Sequence, residues 1–482
     1  MMTSRRGLFG WTIAAVVMSR GGVSNWTAEA VAQSNDASCG RPMPAAAHGG
    51  LLMPAEWAPH SATWMAYGAT PGAWGEDMVT PFGRDLTNSR IVARQDLMRL
   101  AANLSRFEQV FMLVNTPEDE AEAKGFLTDV IARKSPKDQI GDTLDNSGRI
   151  YIGKHRKPAD LPEIGKFPIT FLQAGINDLW TRDMAPVFAR DGAGKLHGVD
   201  LNFNGWGQWP IRTGLCNWAK DPMKTENGVM DQPIDRDVTV AAFINKHISV
   251  PTAATWLTME GGGLEVNGSG LAVATESCIV NDNRNPGKSK AEIEAELLRV
   301  FGVEKVIWMP GMKGVELTDW HVDFTAKFVS QTEMVYAFDE NFEPKDKRNE
   351  KALHAAVAEI NALPADLKSK YLGKPDAMLT LHALPLPRIE KVYASFGKRD
   401  AELKITERTL DEFTYTTAPG YVGFTHANGA IILGQFGDSE HDLLAFETLQ
   451  ALNPDQIVIQ ISTDGLASGG GTIHCATQQQ PA

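Results

Sequence analysis

Ser289-Lys290-Ala291-Glu292-Ile293-Glu294-Ala295-Glu296-Leu297-Leu298-Arg299-Val300-Phe301-Gly302-Val303-Glu304-Lys305-Val306-Ile307-Trp308-Met309 is the stretch on which the fold turns. Ser289 is placed to cap a helix over 289–301, and 306–309 is a short apolar run that reads as a buried strand. The unit recurs along the chain. A helix over 89–107, with Ile91, Leu97, Leu100 and Leu104 among its apolar positions, leads to a strand at 110–114. Residues 118–133 lead to 168–172, 348–362 to 379–384, and 441–452 to 457–461. Five helix–strand units in one chain predict an α/β array or propeller rather than unrelated domains. The polar stretches at 133–165, 219–236 and 340–350 read as surface loops or insertions.

Three of the strands are followed, ten to fourteen residues on, by a chemically unusual segment. Leu172 precedes Asn177-Asp178-Leu179-Trp180-Thr181-Arg182-Asp183. Met309 precedes Thr318-Asp319-Trp320-His321-Val322-Asp323. Ile461 precedes Gly469-Gly470-Gly471-Thr472-Ile473-His474-Cys475. A further segment, Met259-Glu260-Gly261-Gly262-Gly263, again sets an acid against glycines. Equivalent strand ends in a repeat point the same way, so these segments are expected to converge. Glycines let a backbone turn tightly and approach a ligand closely, and a thiol delivered by such a turn reads as a nucleophile. In His321-Val322-Asp323 alternate residues of an extended chain would share a side. A thiol, an imidazole and three carboxylates suit a cationic substrate attacked by sulfur. Taken singly, each residue has a plainer reading: Asp183 an ion pair with Arg182, Glu260 a turn cap with Glu265 as rival for its role, His321 a core histidine. Taken jointly with the cysteine, the catalytic reading is preferred.

The 482 residues carry a net charge of −13. That argues against a nucleic-acid partner, which needs a basic face, and is compatible with a small cation. Residues 1–32 read as a twin-arginine-type signal peptide: Ser4-Arg5-Arg6-Gly7-Leu8-Phe9, an apolar run over 11–18 too short for a mature anchor, and a small-residue cleavage site at Ala30-Val31-Ala32. Its removal leaves 43 basic and 58 acidic residues, a net −15. The expected address is periplasmic or secreted, with no membrane anchor after cleavage. Residues 40–482 read as a single catalytic domain with surface insertions. An exported chain allows Cys39 to pair with Cys216 or Cys278, the last in an apolar, strand-like run over 273–280. No Cys-x-x-Cys or His/Cys cluster suggests a metal. A homo-oligomer is left open.

At these residues the chain resembles the agmatine deiminase family, a branch of the guanidino-group-modifying superfamily that includes bacterial peptidylarginine deiminases. The resemblance runs from Met53-Pro54-Ala55-Glu56-Trp57 to the C-terminus. It is carried by Trp180-Thr181-Arg182-Asp183, Asn202-Phe203-Asn204-Gly205-Trp206-Gly207, Glu260-Gly261-Gly262, Asn283-Arg284-Asn285-Pro286, His321-Val322-Asp323, Asn428-Gly429 and the terminal Gly-Gly-Gly-x-x-His-Cys-x-Thr-Gln-Gln. It implies a five-bladed, pseudo-symmetric α/β propeller (pentein-like) and deimination of a guanidino compound without metal or organic cofactor. Cys475 would attack the guanidinium carbon. Asp183 and Asp323 would bind its N–H groups. His321 would protonate departing ammonia and then activate water, with Glu260 orienting it. Trp180, Trp320 and Gly470 join the two aspartates as expected substrate contacts.

Agmatine, giving N-carbamoylputrescine and ammonia through a covalent thiouronium, is the first substrate reading, which places the enzyme in putrescine biosynthesis. Departures from the family pattern bear on it: Met184-Ala185-Pro186 where Tyr-Gly-Pro is frequent, Trp320 where Gly often precedes the histidine, and Phe324 where a polar residue often follows. A peptidyl or free arginine derivative is the alternative. Two readings belong to other classes. A Cys–His amidase needs no cluster of acids, and a silent periplasmic guanidino-binding protein needs neither Cys475 nor His321.

Overall fold

The computed structural model describes residues 50–74, 87–144, 147–208, 211–212, 217–218, 232–314, 317–338, 347–402 and 417–482. Residues 1–32, expected to be an export segment, together with Cys39, Cys216 and the stretches 219–231 and 340–346, lie outside the described residues. No helix among the described residues is long and apolar enough to cross a membrane.

The stretch 289–309 folds as read. Ser289 caps the helix Lys290–Phe301, accepting from the Glu292 amide while the Glu292 carboxylate accepts from the Ser289 amide. This reciprocal pair satisfies two of the otherwise orphaned donors at a helix start. Gly302 ends the helix at φ +65°, in the left-handed conformation a helix stop favours. Ile293, Leu297, Val300 and Phe301 are buried beneath it. The strand Lys305–Met309 then pairs in parallel with Leu271–Thr275, whose five residues are all buried. A strand covered on both faces reads as a continuous apolar run, not an alternating one.

All five predicted helix–strand units exist, yet they do not map one to one onto five sheets. Gln109–Val114 and Ile169–Gln173 lie side by side in one sheet, so the first two units build a single sheet. The fifth sheet comes from a unit the sequence did not reveal: Val187–Arg190, Leu196–Val199, the helix Val240–His247 and the strand Thr252–Ala253. A two-residue strand carries no readable period. The stretch 133–165 is also more than a surface insertion. It contributes Ile140–Gly141 and Ile150–Tyr151, which extend the sheet of Ile457–Ser462.

Among the described residues, each of the five sheets of three or more strands shares one plan: two antiparallel strands, then a helix, then a strand parallel to the second. In the first sheet the leading strand comes from the chain end, because Gln478–Pro481 pairs antiparallel with His60–Ala66. Each leading strand is entered through a short helical turn. Those turns are Thr181–Met184, Gly261–Gly263, Val322–Phe324, Tyr421–Gly423 and the turn at 473–476. They touch in succession. Gly261 abuts the Arg182 carbonyl, Gly262 abuts His321, the His474 amide donates to the Gly423 carbonyl (3.1 Å), and the Arg182 amide donates to the Cys475 carbonyl (3.0 Å). The repeat therefore brings its irregular turns, not its strands, to one place.

Candidate active site

Four of the five turns carry the predicted chemistry. Asp183 sits in the turn Thr181–Met184, and Glu260 immediately precedes Gly261–Gly263. His321 begins the turn that holds Asp323, and Cys475 lies in the last. His321 and Asp323 share a site for a different reason from the one expected: Val322–Phe324 is a 3-10 turn, not extended chain. Gly262 marks where they meet. A Cβ built there would lie 2.6 Å from His321 Nδ1, 2.9 Å from Asp323 Oδ2 and 3.2 Å from Asp183 Oδ1. Only a residue without a Cβ lets these three groups converge. Gly262→Ala should therefore keep the fold and lower kcat/KM by roughly 10–100-fold by spreading them. Steady-state kinetics with a melting curve checks this, and parental kcat/KM in the variant would show the three groups do not act as one site.

The plainer readings fail for Asp183 and Glu260. Asp183 makes no ion pair with Arg182; its Oδ2 accepts from Trp206 Nε1 at 2.8 Å and its Oδ1 lies 3.8 Å from His321 Nδ1. Glu260 makes no capping bond with its side chain. Instead its Oε2 is 3.0 Å from His321 Nε2, and both its oxygens accept from Arg284 Nε at 2.9–3.0 Å. The rival Glu265 points elsewhere, toward His474 and Lys327. Cys475 Sγ is 3.8 Å from Asp323 Oδ2 and 3.5 Å from Thr472 Oγ1.

Burial and charge fix the protonation pattern. Burial opposes charge on Glu260, but Arg284, and then His321, hold its carboxyl down at about 2. Burial likewise opposes the imidazolium of His321, yet Asp183, Cys278 and Glu260 lift its pKa well above the ordinary value. Asp183 is pushed up to about 6, chiefly by burial and further by Glu260 and Asp323, against the pull of His321. Burial pushes the Cys475 thiol well up, and Asp323 and Asp183 add to it. The site at neutral pH is thus an imidazolium facing carboxylates, beside a protonated thiol.

The remaining predicted contacts are placed less directly. Trp180 is buried, its ring against the backbone of Gly471 and 6.2 Å from the ring of Trp74. Gly470 has φ +89° and open space where a Cβ would go. Trp320 is half-buried at φ +80°, a conformation that favours glycine, directly before His321. Such strain in a bulky residue costs on the order of 1–3 kcal/mol and is held by its surroundings; Thr275 Oγ1 donates to its carbonyl at 2.5 Å.

Sequence reasoning missed the groups that hold the site. Arg284, buried, joins Glu260 to Asp319 (2.9 Å) and the Thr318 carbonyl (2.9 Å). Trp206 anchors Asp183 through its indole N–H. Asn202, Gly205, Trp206 and Gly207 all have positive φ, which explains the glycines of that motif. Cys278 was expected in a strand-like run, but it lies in the helical turn Glu276–Ile279, with Sγ 3.8 Å from Glu260 Oε2. Its thiol is free, which removes it from the disulfide considered. Two buried groups, Glu260/Cys278/His321 and Glu56/Glu265/His474, bring ligand-type atoms within 4.8 Å of one another. In each, a buried cation, Arg284 or Lys327, already sits against a carboxylate.

The description of the matching family model, Porphyromonas-type peptidyl-arginine deiminase, applies over residues 52–481. The chain belongs to this family. The agmatine deiminase of Medicago truncatula is 29% identical over 449 residues, covering 90% of this chain and 97% of its own. That of Pseudomonas aeruginosa strain LESB58 is also 29% identical, over 438 residues, covering 90% and 96%. Among solved structures, an Enterococcus faecalis agmatine deiminase superposes with a TM-score of 0.61 at 25% identity, covering 90% of this chain and 96% of its own. This family member is a mixed α/β enzyme, a hydrolase of carbon–nitrogen bonds. Its relatives support guanidino deimination as the chemistry and lend nothing to the silent binding-protein alternative.

Proposed function

We propose that this enzyme deiminates a guanidino substrate, agmatine first among them, through a thiouronium formed on Cys475. One observation carries the reading. Asp183 and Asp323 each have one oxygen held by a protein N–H, from Trp206 and His474 respectively. Each has its other oxygen, Oδ1, buried with no hydrogen-bond partner among the described residues. Leaving a buried acceptor unsatisfied costs about 1–3 kcal/mol, more when it is charged. Two such carboxylates, converging at Gly262 with one of them 3.8 Å from the Cys475 sulfur, match a planar cation with several N–H donors, which is a guanidinium.

The protonation pattern fits that sequence of steps. A bound guanidinium brings positive charge beside Asp183 and Asp323, offsetting what keeps the Cys475 thiol protonated. The thiol releases its proton and the thiolate adds to the guanidinium carbon. His321, starting as imidazolium, gives a proton to the departing amino group, and ammonia leaves. The neutral His321 takes a proton from the water that attacks the thiouronium carbon. Collapse of that adduct breaks the C–S bond, and its hydroxyl proton passes to the departing sulfur, leaving a ureido product and restoring the thiol. Glu260, locked by Arg284, keeps His321 in place and favours its charged form. We also read the five like-built sheets as blades of a propeller. The chain-end strand completing the first sheet supports this, and so does the cycle of touching turns.

The deciding experiment is a panel of guanidino compounds scored for ammonia and ureido product. Agmatine should give both in equal amounts. Faster turnover of a peptidyl-arginine would keep the chemistry and overturn the substrate, whereas no ammonia from any compound would overturn the reading. The pH dependence provides a separate check. Guanidinium binding needs ionised Asp183, whose pKa is raised to about 6. So the acid limb of kcat/KM should fall as pH drops through about 6, a loss that Asp183→Glu would move and that changes remote from the site would not.

A further inference from the structure

A second buried charged group lies behind Cys475, and the steps above leave it unused. His474 Nδ1 is 2.8 Å from Asp323 Oδ2, and its Nε2 is 2.9 Å from Glu56 Oε2. Lys327 Nζ donates to that same Glu56 oxygen at 2.6 Å and to the Phe424 carbonyl at 3.0 Å. Glu265 Oε1 stands 3.4 Å from His474 Nε2 and 3.8 Å from Lys327 Nζ. The group is drawn from distant parts of the chain: Glu56 precedes the strand His60–Ala66, Glu265 is on Leu264–Val266, and Lys327 is on Ala326–Phe328. His474 is 1% exposed and Lys327 fully buried.

The ring contacts decide the state of His474. Both nitrogens face carboxylate oxygens, which accept hydrogen bonds when ionised. A neutral imidazole has one N–H and would set its other lone pair against a carboxylate, whereas an imidazolium donates to both. The oxygen it holds on Asp323 is the one 3.8 Å from Cys475 Sγ. We propose that His474 is a positioning residue: as an imidazolium braced by Glu56 and Lys327, it clamps Oδ2 of Asp323, leaves Oδ1 for the guanidinium, and offsets the carboxylate's charge beside the Cys475 thiol. The role in turnover rests on the deiminase reading; the clamp itself does not need it.

Against burial, His474 is the chief influence holding the Asp323 carboxyl below its ordinary value. The other groups acting on Asp323 are His321, Lys327, Asp183 and Cys475. All of them remain in His474→Gln, which keeps an amide donor for Asp323 and loses the charge. Without that charge the thiolate faces a less compensated carboxylate, so it should form at higher pH.

The test uses two measurements made without substrate. In the full chain labelled with 15N-histidine, the ring signal that disappears in His474→Gln should show a proton on both ring nitrogens under the conditions of turnover. The pH midpoint of Cys475 alkylation by iodoacetamide, read by mass spectrometry, should rise by about one unit in His474→Gln. Glu56→Gln, which removes the brace and spares the ring, should shift both in the same sense, and it carries the test if His474→Gln does not fold. A parent ring with a proton on only one nitrogen under those conditions, or an unmoved midpoint in a folded variant, overturns the proposal. With substrate, kcat/KM of His474→Gln should fall roughly 10–100-fold, as for other loss of support to a reacting group. A parent that releases no ammonia from any guanidino compound would end the deiminase reading, and the substrate-free measurements would still decide the clamp.

Discussion

Cys475→Ala is expected to release no measurable ammonia from any guanidino compound the parent accepts, a loss on the order of 10⁵–10⁶ in kcat. Removing the nucleophile removes the covalent path, and no described side chain stands ready to replace it. Cys278 is the nearest rival in chemistry, but its sulfur lies against Glu260 and His321, whereas that of Cys475 lies against Asp323. The fold should survive. Cys475 is nevertheless 5% exposed and packs in an apolar cluster with Trp74, Trp180 and Ala476, so the change touches the core. Losing one sulfur there should cost about 1 kcal/mol, a few degrees in melting temperature. Ammonia assays and a melting curve on the same preparation separate the outcomes. Parental turnover in the alanine variant ends the covalent mechanism, and an unfolded variant makes the thiol a structural element first.

The sequence disclosed the site better than the fold that builds it. Asp183, Glu260, His321, Asp323 and Cys475 stood out because each lies in a polar or glycine-rich segment where packing alone gives no reason for it. The turns that present them were invisible. Three or four residues of 3-10 or helical turn are too short for any period to register, and only the common plan of the sheets shows that they are equivalent positions. The supporting residues were hidden for a different reason. Lys327 sits between Ala326 and Phe328 in a strand, where alternation would put it toward solvent, but that face of the sheet is buried against Glu56 and Glu265. Arg284 and Trp206 lay in segments already noted, yet nothing in one dimension tells which carboxylate an arginine or indole will meet. Counting helix–strand units reached five by a partly wrong route. It took two units from one sheet and overlooked the sheet whose last strand is only Thr252–Ala253.

Replacing either aspartate proposed to bind the guanidinium should have the next largest effect, and the two replacements should differ in an informative way. Removing one partner from a desolvated ion pair typically costs about 3–5 kcal/mol, because the other charge is left uncompensated. That corresponds to roughly two to three and a half decades in kcat/KM. In Asp183→Asn the amide oxygen would keep the bond from Trp206 Nε1, which turns the amide N–H toward the place the substrate's own N–H groups occupy. Donor then faces donor, and the negative charge is gone as well. The same change removes the strongest charge favouring the imidazolium of His321, so the pKa of His321 should fall and the alkaline limb of the pH profile should move down. Asp323→Asn should lose affinity to a similar degree and stability besides, because it strips His474 of one of its two carboxylates at 2.8 Å. Affinity is best read by calorimetry with agmatine in a Cys475→Ala background, where no turnover intervenes. An amidase binding a neutral amide would tolerate both changes. Asn variants that bind agmatine as tightly as the parent would strip both aspartates of their assigned role, leaving the deiminase reading to rest on family membership alone.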